Sequence, residues 1–184
     1  MVPQTEPVRP PLARYEDLAQ MIDHSLVRPE LTDDDVIAGC RLAQQYAVAS
    51  VSVRPCDIEL AVRELQGSSV RVGSVAGFPH GYGTTAVKLY EARDGLRRGA
   101  REIDMALNIA RLRSRQFQHV ESELLQMADA CHKEGAMLKV IFENAWLTDE
   151  LKIVACRICV RAGVDFAIGE APEDLGLMRR HLAR

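Results

Sequence analysis

Two strand-borne charges carry the chemistry this chain could do: Asp104 in Glu-Ile-Asp-Met-Ala-Leu-Asn and Lys139 in Met-Leu-Lys-Val-Ile-Phe-Glu, on what read as consecutive parallel strands. A carboxylate beside an amine suits carbonyl chemistry, in which the amine engages the carbonyl and the acid moves protons. A lysine with its ordinary pKa of about 10.4 is almost wholly protonated at pH 7. A nucleophilic amine therefore needs a low-dielectric site or a neighbouring cation to lower that value. Three readings follow for the pair: a working site, an ion pair kept inside a core that no longer turns over, or Lys139 itself as an imine-forming amine. Asp23 and Ser52, on the first and second strands, are further candidates for holding substrate, although an inward strand aspartate is equally suited to a structural role. Glu143 stands at the far end of the Lys139 strand, about 13 Å away by strand rise, too far for direct pairing.

The elements that must position these groups alternate regularly. Strand candidates are Met21–Leu26, Val48–Val53, Val70–Ala76, Glu102–Leu107, Ala136–Glu143 and Val164–Ile168, each followed by helical periodicity. Thr32 before three aspartates, and Thr148 before Asp149 and Glu150, mark helix starts, while Gly99, Gly135 and Gly163 mark stops. A short amphipathic segment, Leu12 to Gln20, precedes the first strand, and residues 1–11, with four prolines, read as a flexible arm before one domain over 12–184. Repeated strand-helix units imply a parallel sheet, doubly wound or rolled into a barrel. In Glu102–Asn108, Ile103, Met105 and Leu107 face one side and Glu102, Asp104, Ala106 and Asn108 the other. A doubly wound sheet buries both faces and favours continuously apolar strands. A barrel can turn charges inward, so the expected fold is α/β, a TIM-type barrel of about six βα units after a short N-terminal helix.

Bulk properties narrow the partners. The chain has 184 residues, 47% of them hydrophobic, enough for one substantial core. Its 23 Lys and Arg against 26 Asp and Glu give a net charge of −3, with the basic residues dispersed, so no nucleic-acid footprint is expected. The apolar runs are strand-sized and the N-terminus lacks a signal-peptide core, so no membrane partner and a cytoplasmic location are expected. Five cysteines fit reduced thiols. Cys156-x-x-Cys159 lies within a helix and Cys131-His132 is isolated, so neither is expected to bind metal, and no cofactor is expected. The segment Gly77-Phe-Pro-His-Gly-Tyr-Gly83 either cradles an anion at the next helix start or forms a tight turn, with His80 at the mouth; it is no P-loop.

Taken together, Ile22-Asp23-His24-Ser25-Leu26, Ala49-Ser50-Val51-Ser52-Val53-Arg54-Pro55, Gly77-Phe78-Pro79-His80-Gly81 with Thr84-Thr85-Ala86-Val87-Lys88, Glu102-Ile103-Asp104-Met105 and Leu138-Lys139-Val140-Ile141 resemble the deoxyribose-phosphate aldolases in order and spacing. The resemblance spans about residues 12 to 180. It implies a TIM-type (β/α)8 barrel, here incomplete with about six βα units, and a class I aldolase that cleaves 2-deoxyribose 5-phosphate to glyceraldehyde 3-phosphate and acetaldehyde without a metal. By position, Asp104 matches the family's acid/base aspartate and Lys139 its strand-five lysine near the nucleophile. Ser52 matches a cysteine common in the second strand. Asp165-Phe166-Ala167-Ile168-Gly169-Glu170 replaces the family's nucleophile stretch and puts Ile168 where the Schiff-base lysine belongs. Phe142, Asn144 and Trp146 alter the end of strand five, and the family's strands seven and eight have no counterpart.

Three functions follow as expectations: an aldolase-like protein that is weak or inactive, a non-catalytic descendant that binds a sugar phosphate or a partner protein, and a lyase in which Lys139 takes up a small aldehyde. Six strands leave the first and sixth as open edges. These edges meet in a flattened closure, are covered by another copy in a homo-oligomer, or limit the chain's stability.

Overall fold

The computed structural model describes residues 14–182, so the Pro-rich arm at 1–11 lies outside the described residues. A short helix α1 (Tyr15–Ala19) leads into β1 (Asp23–Leu26), α2 (Asp33–Tyr46), β2 (Ser50–Val53), α3 (Ile58–Glu64), β3 (Arg71–Ala76), α4 (Thr85–Arg97) and β4 (Glu102–Ala106). Two helices follow β4, α5 (Ile109–Arg113) and α6 (Phe117–Lys133), and then β5 (Met137–Ile141), α7 (Asp149–Ala162), β6 (Phe166–Ile168) and α8 (Pro172–Leu182). Among the described residues, no helix is long and apolar enough to cross a membrane.

All six strands run parallel in the order β1-β2-β3-β4-β5-β6. The sheet is strongly curled, which one contact demonstrates. Lys139 on β5 reaches Asp23 on β1, Nζ to Oδ2 2.5 Å. Four strand spacings in a flat sheet would separate them by about 19 Å, farther than one lysine side chain extends. Among the described residues β6 does not pair with β1, so of the three outcomes expected for the edges the flattened closure is not the one seen. The result is a curled, partial barrel of six parallel strands, as expected from the alternation together with the family resemblance.

The core lies between the convex face of this sheet and the helices. Val51, Val53, Ile103, Met105, Leu138 and Val140 point outward from the strands into a layer with Val36 and Cys40 of α2, Ile58 of α3, Leu124 and Met127 of α6, and Ala155 and Ile158 of α7. Local chemistry fixes the helix starts. Thr32 caps α2 by accepting from the Asp35 N–H at 3.3 Å, and Asp35 accepts the Thr32 N–H in return at 2.8 Å, a reciprocal capping box. Thr148 caps α7 by accepting from the Leu151 N–H.

Two details depart from the sequence expectations. The strand expected to run to Glu143 stops at Ile141, because Glu143 takes left-handed backbone angles (φ 50°, ψ 59°) and turns the chain into a 3-10 turn, Asn144–Trp146. Glu143 therefore does not continue the face that carries Lys139. The glycine-rich segment is a tight turn: the Gly81 N–H donates to the Gly77 carbonyl at 2.8 Å, and the Gly77 N–H donates to Glu91 of α4 at 2.6 Å. The anion it holds is the chain's own carboxylate.

Gly81 combines φ +70° with a close approach, since a Cβ there would lie 1.9 Å from the Leu107 carbonyl oxygen. Gly135 has a similar φ of +66° but faces open space. Gly135→Ala should cost about 1–2 kcal/mol of conformational strain, and Gly81→Ala about 3 kcal/mol or more once the clash is added. Urea denaturation of both variants measures the difference.

Candidate functional site

The concave face of the sheet carries the polar side chains that the strand alternation turns away from the core. Register sets them side by side: Asp23 is opposite Ser50, Ser52 opposite Gly73, Gly73 opposite Glu102, Asp104 opposite Lys139, and Lys139 opposite Phe166. Gly73 leaves a gap in the wall between Ser52 and Glu102. Ser52 donates past β3 to Asp104 Oδ2 at 2.8 Å, and Ser50 donates to Asp23 Oδ1 at 2.6 Å.

Lys139 is the centre of this wall. Its ammonium sits 2.5 Å from Asp23 Oδ2 and 2.5 Å from Glu102 Oε2, and 5.7 Å from the centroid of the Phe166 ring. Glu102 is bound a second time by Arg71, Nε to Oε1 2.5 Å. The ion pair expected between Asp104 and Lys139 is thus differently partnered. The hydrogen bonds of Lys139 go to Asp23 and Glu102, and Asp104 acts on it through space.

Electrostatics follow from this arrangement. Burial by itself would push Lys139 down, but its hydrogen bonds to Asp23 and Glu102 and the attraction of Asp104 outweigh that and hold it above its ordinary value. Burial would push Asp23 up; the hydrogen bonds from Lys139 and Ser50, with the attraction of Lys139 and Arg71, hold it below the usual carboxylate range. Asp104 goes the other way. Burial raises it, only partly offset by Lys139 and Ser52 and reinforced by Glu102 and Asp23, so it is pushed from 3.8 up to about 6. The wall holds two cations, Arg71 and Lys139, against three carboxylates, and Asp104 is the carboxylate without a direct cationic partner. Its Oδ1 is buried with no hydrogen-bond partner among the described residues. Such a group can hold or release a proton near neutral pH, but its unpartnered oxygen is sealed from solvent in this arrangement.

Ile168 lies at the end of β6, opposite Ile141, and shares the strand face of Phe166 by the two-residue repeat, which turns it toward the wall. The chain has four lysines, Lys88, Lys133, Lys139 and Lys152. Lys133 and Lys152 are tied to helix-surface carboxylates. Lys88 is sealed between α4, α6 and the end of β4, donating to the Ala106 carbonyl at 2.8 Å and to Glu123 at 2.9 Å. Burial lowers its pKa despite Glu123, but it is 0% exposed and opens onto no cavity. Cys131 and Cys156 are buried thiols pushed up by that burial to about 12 and about 11, and burial raises Cys159 too. All five cysteines are free. His132 bonds Asp165, Nε2 to Oδ2 2.9 Å.

The sequence reading named Asp23, Ser52, Asp104 and Lys139, and these four line one concave surface. It placed Glu102 on the polar face without assigning it a partner and left out Arg71 and Ser50. Glu102 was discoverable from its i, i+2 relation to Asp104; Arg71, at the very start of β3, gave no alternation signal of its own.

No family model matches the chain. It is 40% identical over 172 residues to the deoxyribose-phosphate aldolase of Clostridium perfringens, covering 89% of this chain and 76% of that protein. A deoxyribose-phosphate aldolase from Rhodopirellula baltica is 39% identical over 176 residues, 91% of this chain and 73% of the relative. Among solved structures, one from Coccidioides immitis, assigned to deoxyribose-phosphate aldolase, superposes with a TM-score of 0.84 at 32% identity, over 90% of this chain and 68% of that one. The deoxyribose phosphate aldolase of Aeropyrum pernix, described as a tetramer, gives a TM-score of 0.84 at 27% identity over 93% and 75%.

Two variants test the charge balance. The native state keeps the Asp104 proton longer than the unfolded chain does, so this group's contribution to stability falls as pH rises from about 4 to about 6. Asp104→Asn removes that penalty and should stabilise the protein above pH 6 by up to about 3 kcal/mol, with no gain below pH 4. Lys139→Met should destabilise it by about 3–5 kcal/mol at pH 7, because Glu102 loses a cation in a buried setting, and by less at pH 5, where the orphaned carboxyls can take up protons. Urea titrations across pH 4 to 8 read both.

Proposed function

The chain belongs to the deoxyribose-phosphate aldolase family, and from that premise we propose that its concave wall binds small phosphorylated sugars or aldehydes while the imine-forming step of the family reaction is weak or missing in these 184 residues. The reaction implied by the family is cleavage of 2-deoxyribose 5-phosphate to glyceraldehyde 3-phosphate and acetaldehyde. It needs a neutral amine to attack a carbonyl and an acid to shuttle protons.

The observation that carries this reading is the clamp on Lys139. An ammonium held 2.5 Å from two carboxylates, with its pKa raised, has no free electron pair to offer a carbonyl carbon. Its role is that of a fixed positive charge, which holds the Asp23 pKa down, bonds Glu102 and keeps the wall in shape. Asp104 retains the proton-handling half of the chemistry, with a pKa of about 6 and a free Oδ1. Ile168 has no group with which to form an imine. For a hydroxy-aldehyde to bond Asp104 Oδ1, the buried wall around Ser52 and Asp104 must open to admit it.

The open edges of β1 and β6 suit coverage by a second copy of the chain, which would finish the wall's enclosure and blunt two unpaired strand edges. Light scattering coupled to size exclusion should therefore report a mass above that of one chain; a protease-resistant monomer would contradict this part of the reading.

Acetaldehyde followed by borohydride, with intact mass and peptide mapping, tests the missing step. The expected result is no reduced adduct, whereas an adduct on Lys139 would show a lyase with a relocated amine and reverse the assignment. A thermal shift with 2-deoxyribose 5-phosphate tests binding: saturating ligand at roughly 100 times its Kd should stabilise the fold by about 2.7 kcal/mol. An unchanged melting point at millimolar ligand would remove the sugar-phosphate reading.

A further inference from the structure

A cavity lies on the rim at the C-terminal ends of β3, β4 and β5 and shares no lining residue with the polar wall. It encloses about 660 Å³ between the β3–α4 connection, α5 and the β5–α7 connection, and its walls include His80, Tyr82, Ile109, Arg113, Glu143 and Trp146. That volume falls within the range of sites for small organic ligands.

Its composition is unusual for an idle surface. Tyr82 is 75% exposed and Trp146 61%, the most exposed tyrosine and the sole tryptophan among the described residues. His80 and Tyr82 stack on one another, ring centroids 5.4 Å apart with 15° between planes, which makes a rigid two-ring slab. The indole is carried out by the 3-10 turn that the left-handed backbone of Glu143 initiates. A non-glycine residue at φ 50° costs free energy and is kept where the neighbouring geometry matters. The charge is also specific. Arg111 bonds Gln116 and Arg115 pairs with Glu150, whereas Arg113, between them, has no ion-pair partner among the described residues and opens into the cavity. Glu143 on the same wall is raised by burial and then by repulsion from, and a hydrogen bond with, Glu170. Its carboxylate oxygens are available to accept a hydrogen bond from a ligand in the cavity.

We propose that this rim cavity is a binding site for a mononucleotide: a planar heteroaromatic ring stacked against the Tyr82–His80 slab and Trp146, with its phosphate on Arg113. Stacking on aromatic side chains accepts any base, and an unpaired guanidinium is the group that best matches a phosphate's geometry. The Glu143 carboxyl supplies a hydrogen bond to a ring amine or a ribose hydroxyl. A polymer is disfavoured by the net charge of −3 and by Arg113 being the one arginine or lysine lining the cavity among the described residues. The proposal does not depend on whether the polar wall binds sugar phosphates.

Trp146, as the only tryptophan, reports on this cavity alone. Adenosine 5′-monophosphate added to the full chain, with excitation of tryptophan, should quench the emission saturably. Arg113→Gln and Tyr82→Ala, both at exposed positions, should each weaken that binding about tenfold while leaving the melting temperature unchanged. In the unaltered protein, adenosine should bind more weakly than the monophosphate, ribose 5-phosphate should leave the emission unchanged, and a short oligoadenylate should compete no better than the monophosphate. Added salt should weaken the monophosphate and spare adenosine. Quenching that never saturates, that both variants preserve, or that ribose 5-phosphate or the oligonucleotide reproduces at lower concentration would overturn the proposal.

Discussion

The architecture depends on one buried ammonium shared by two carboxylates. Lys139 on β5 binds Glu102 on the neighbouring β4 and Asp23 on β1. The second bond spans four strand spacings, so it exists only while the sheet stays curled. Each carboxylate is itself held by another donor, Ser50 on Asp23 and Arg71 on Glu102. Four of the six strands therefore meet at one charge, β1, β2, β4 and β5, with β3 joined through Arg71. Buried ion pairs seldom add much net stability over an apolar core. Here the return is geometric: the network specifies the curvature of an unclosed sheet whose edges do not constrain each other.

The same network decides the chemistry available. Two cations cannot neutralise three carboxylates, and the deficit falls on Asp104, the one carboxylate without a bonded cation. Its pKa near 6 and unpartnered Oδ1 are consequences of the balance struck around Lys139. Conversely, an amine that stabilises two carboxylates is unavailable as a nucleophile. Structure-holding and imine formation make opposite demands on one nitrogen: the first needs it charged, the second neutral. Lys88 shows the other extreme, an amine lowered by burial but sealed by helices so that no substrate can meet it. The rim, by contrast, is built from connections rather than strands, and its aromatic surface is free of that network.

Strand alternation and helix caps made much of the fold legible. Ile103, Met105 and Leu107 against Glu102 and Asp104 fix which face is greasy, because side chains on a strand must alternate, and a parallel sheet with one polar face favours a curled arrangement over a doubly wound one. Thr32 and Thr148 fix helix starts because free N–H groups need acceptors within three residues. The break after Ile141 was less legible, since Glu143 belongs to no residue class that announces a left-handed backbone. The split of the segment after β4 into α5 and α6 likewise follows from a turn at Ser114–Gln116 that carries no glycine or proline.

The sequence alone determined that Asp104 and Lys139 each lie on the polar face of their strand, for that is a matter of local periodicity; that Asp23 and Ser52 line the same surface follows from the register of the sheet. It also carried the family likeness, which lies in short motifs and their order. Tertiary structure alone decided which carboxylates Lys139 holds. Asp23 and Lys139 are 116 residues apart, and only the curl of the sheet brings them within hydrogen-bonding distance. The pKa of Asp104 was settled at the same level, because it depends on burial and on how neighbouring charges are already shared, neither of which is written in any run of residues along the chain.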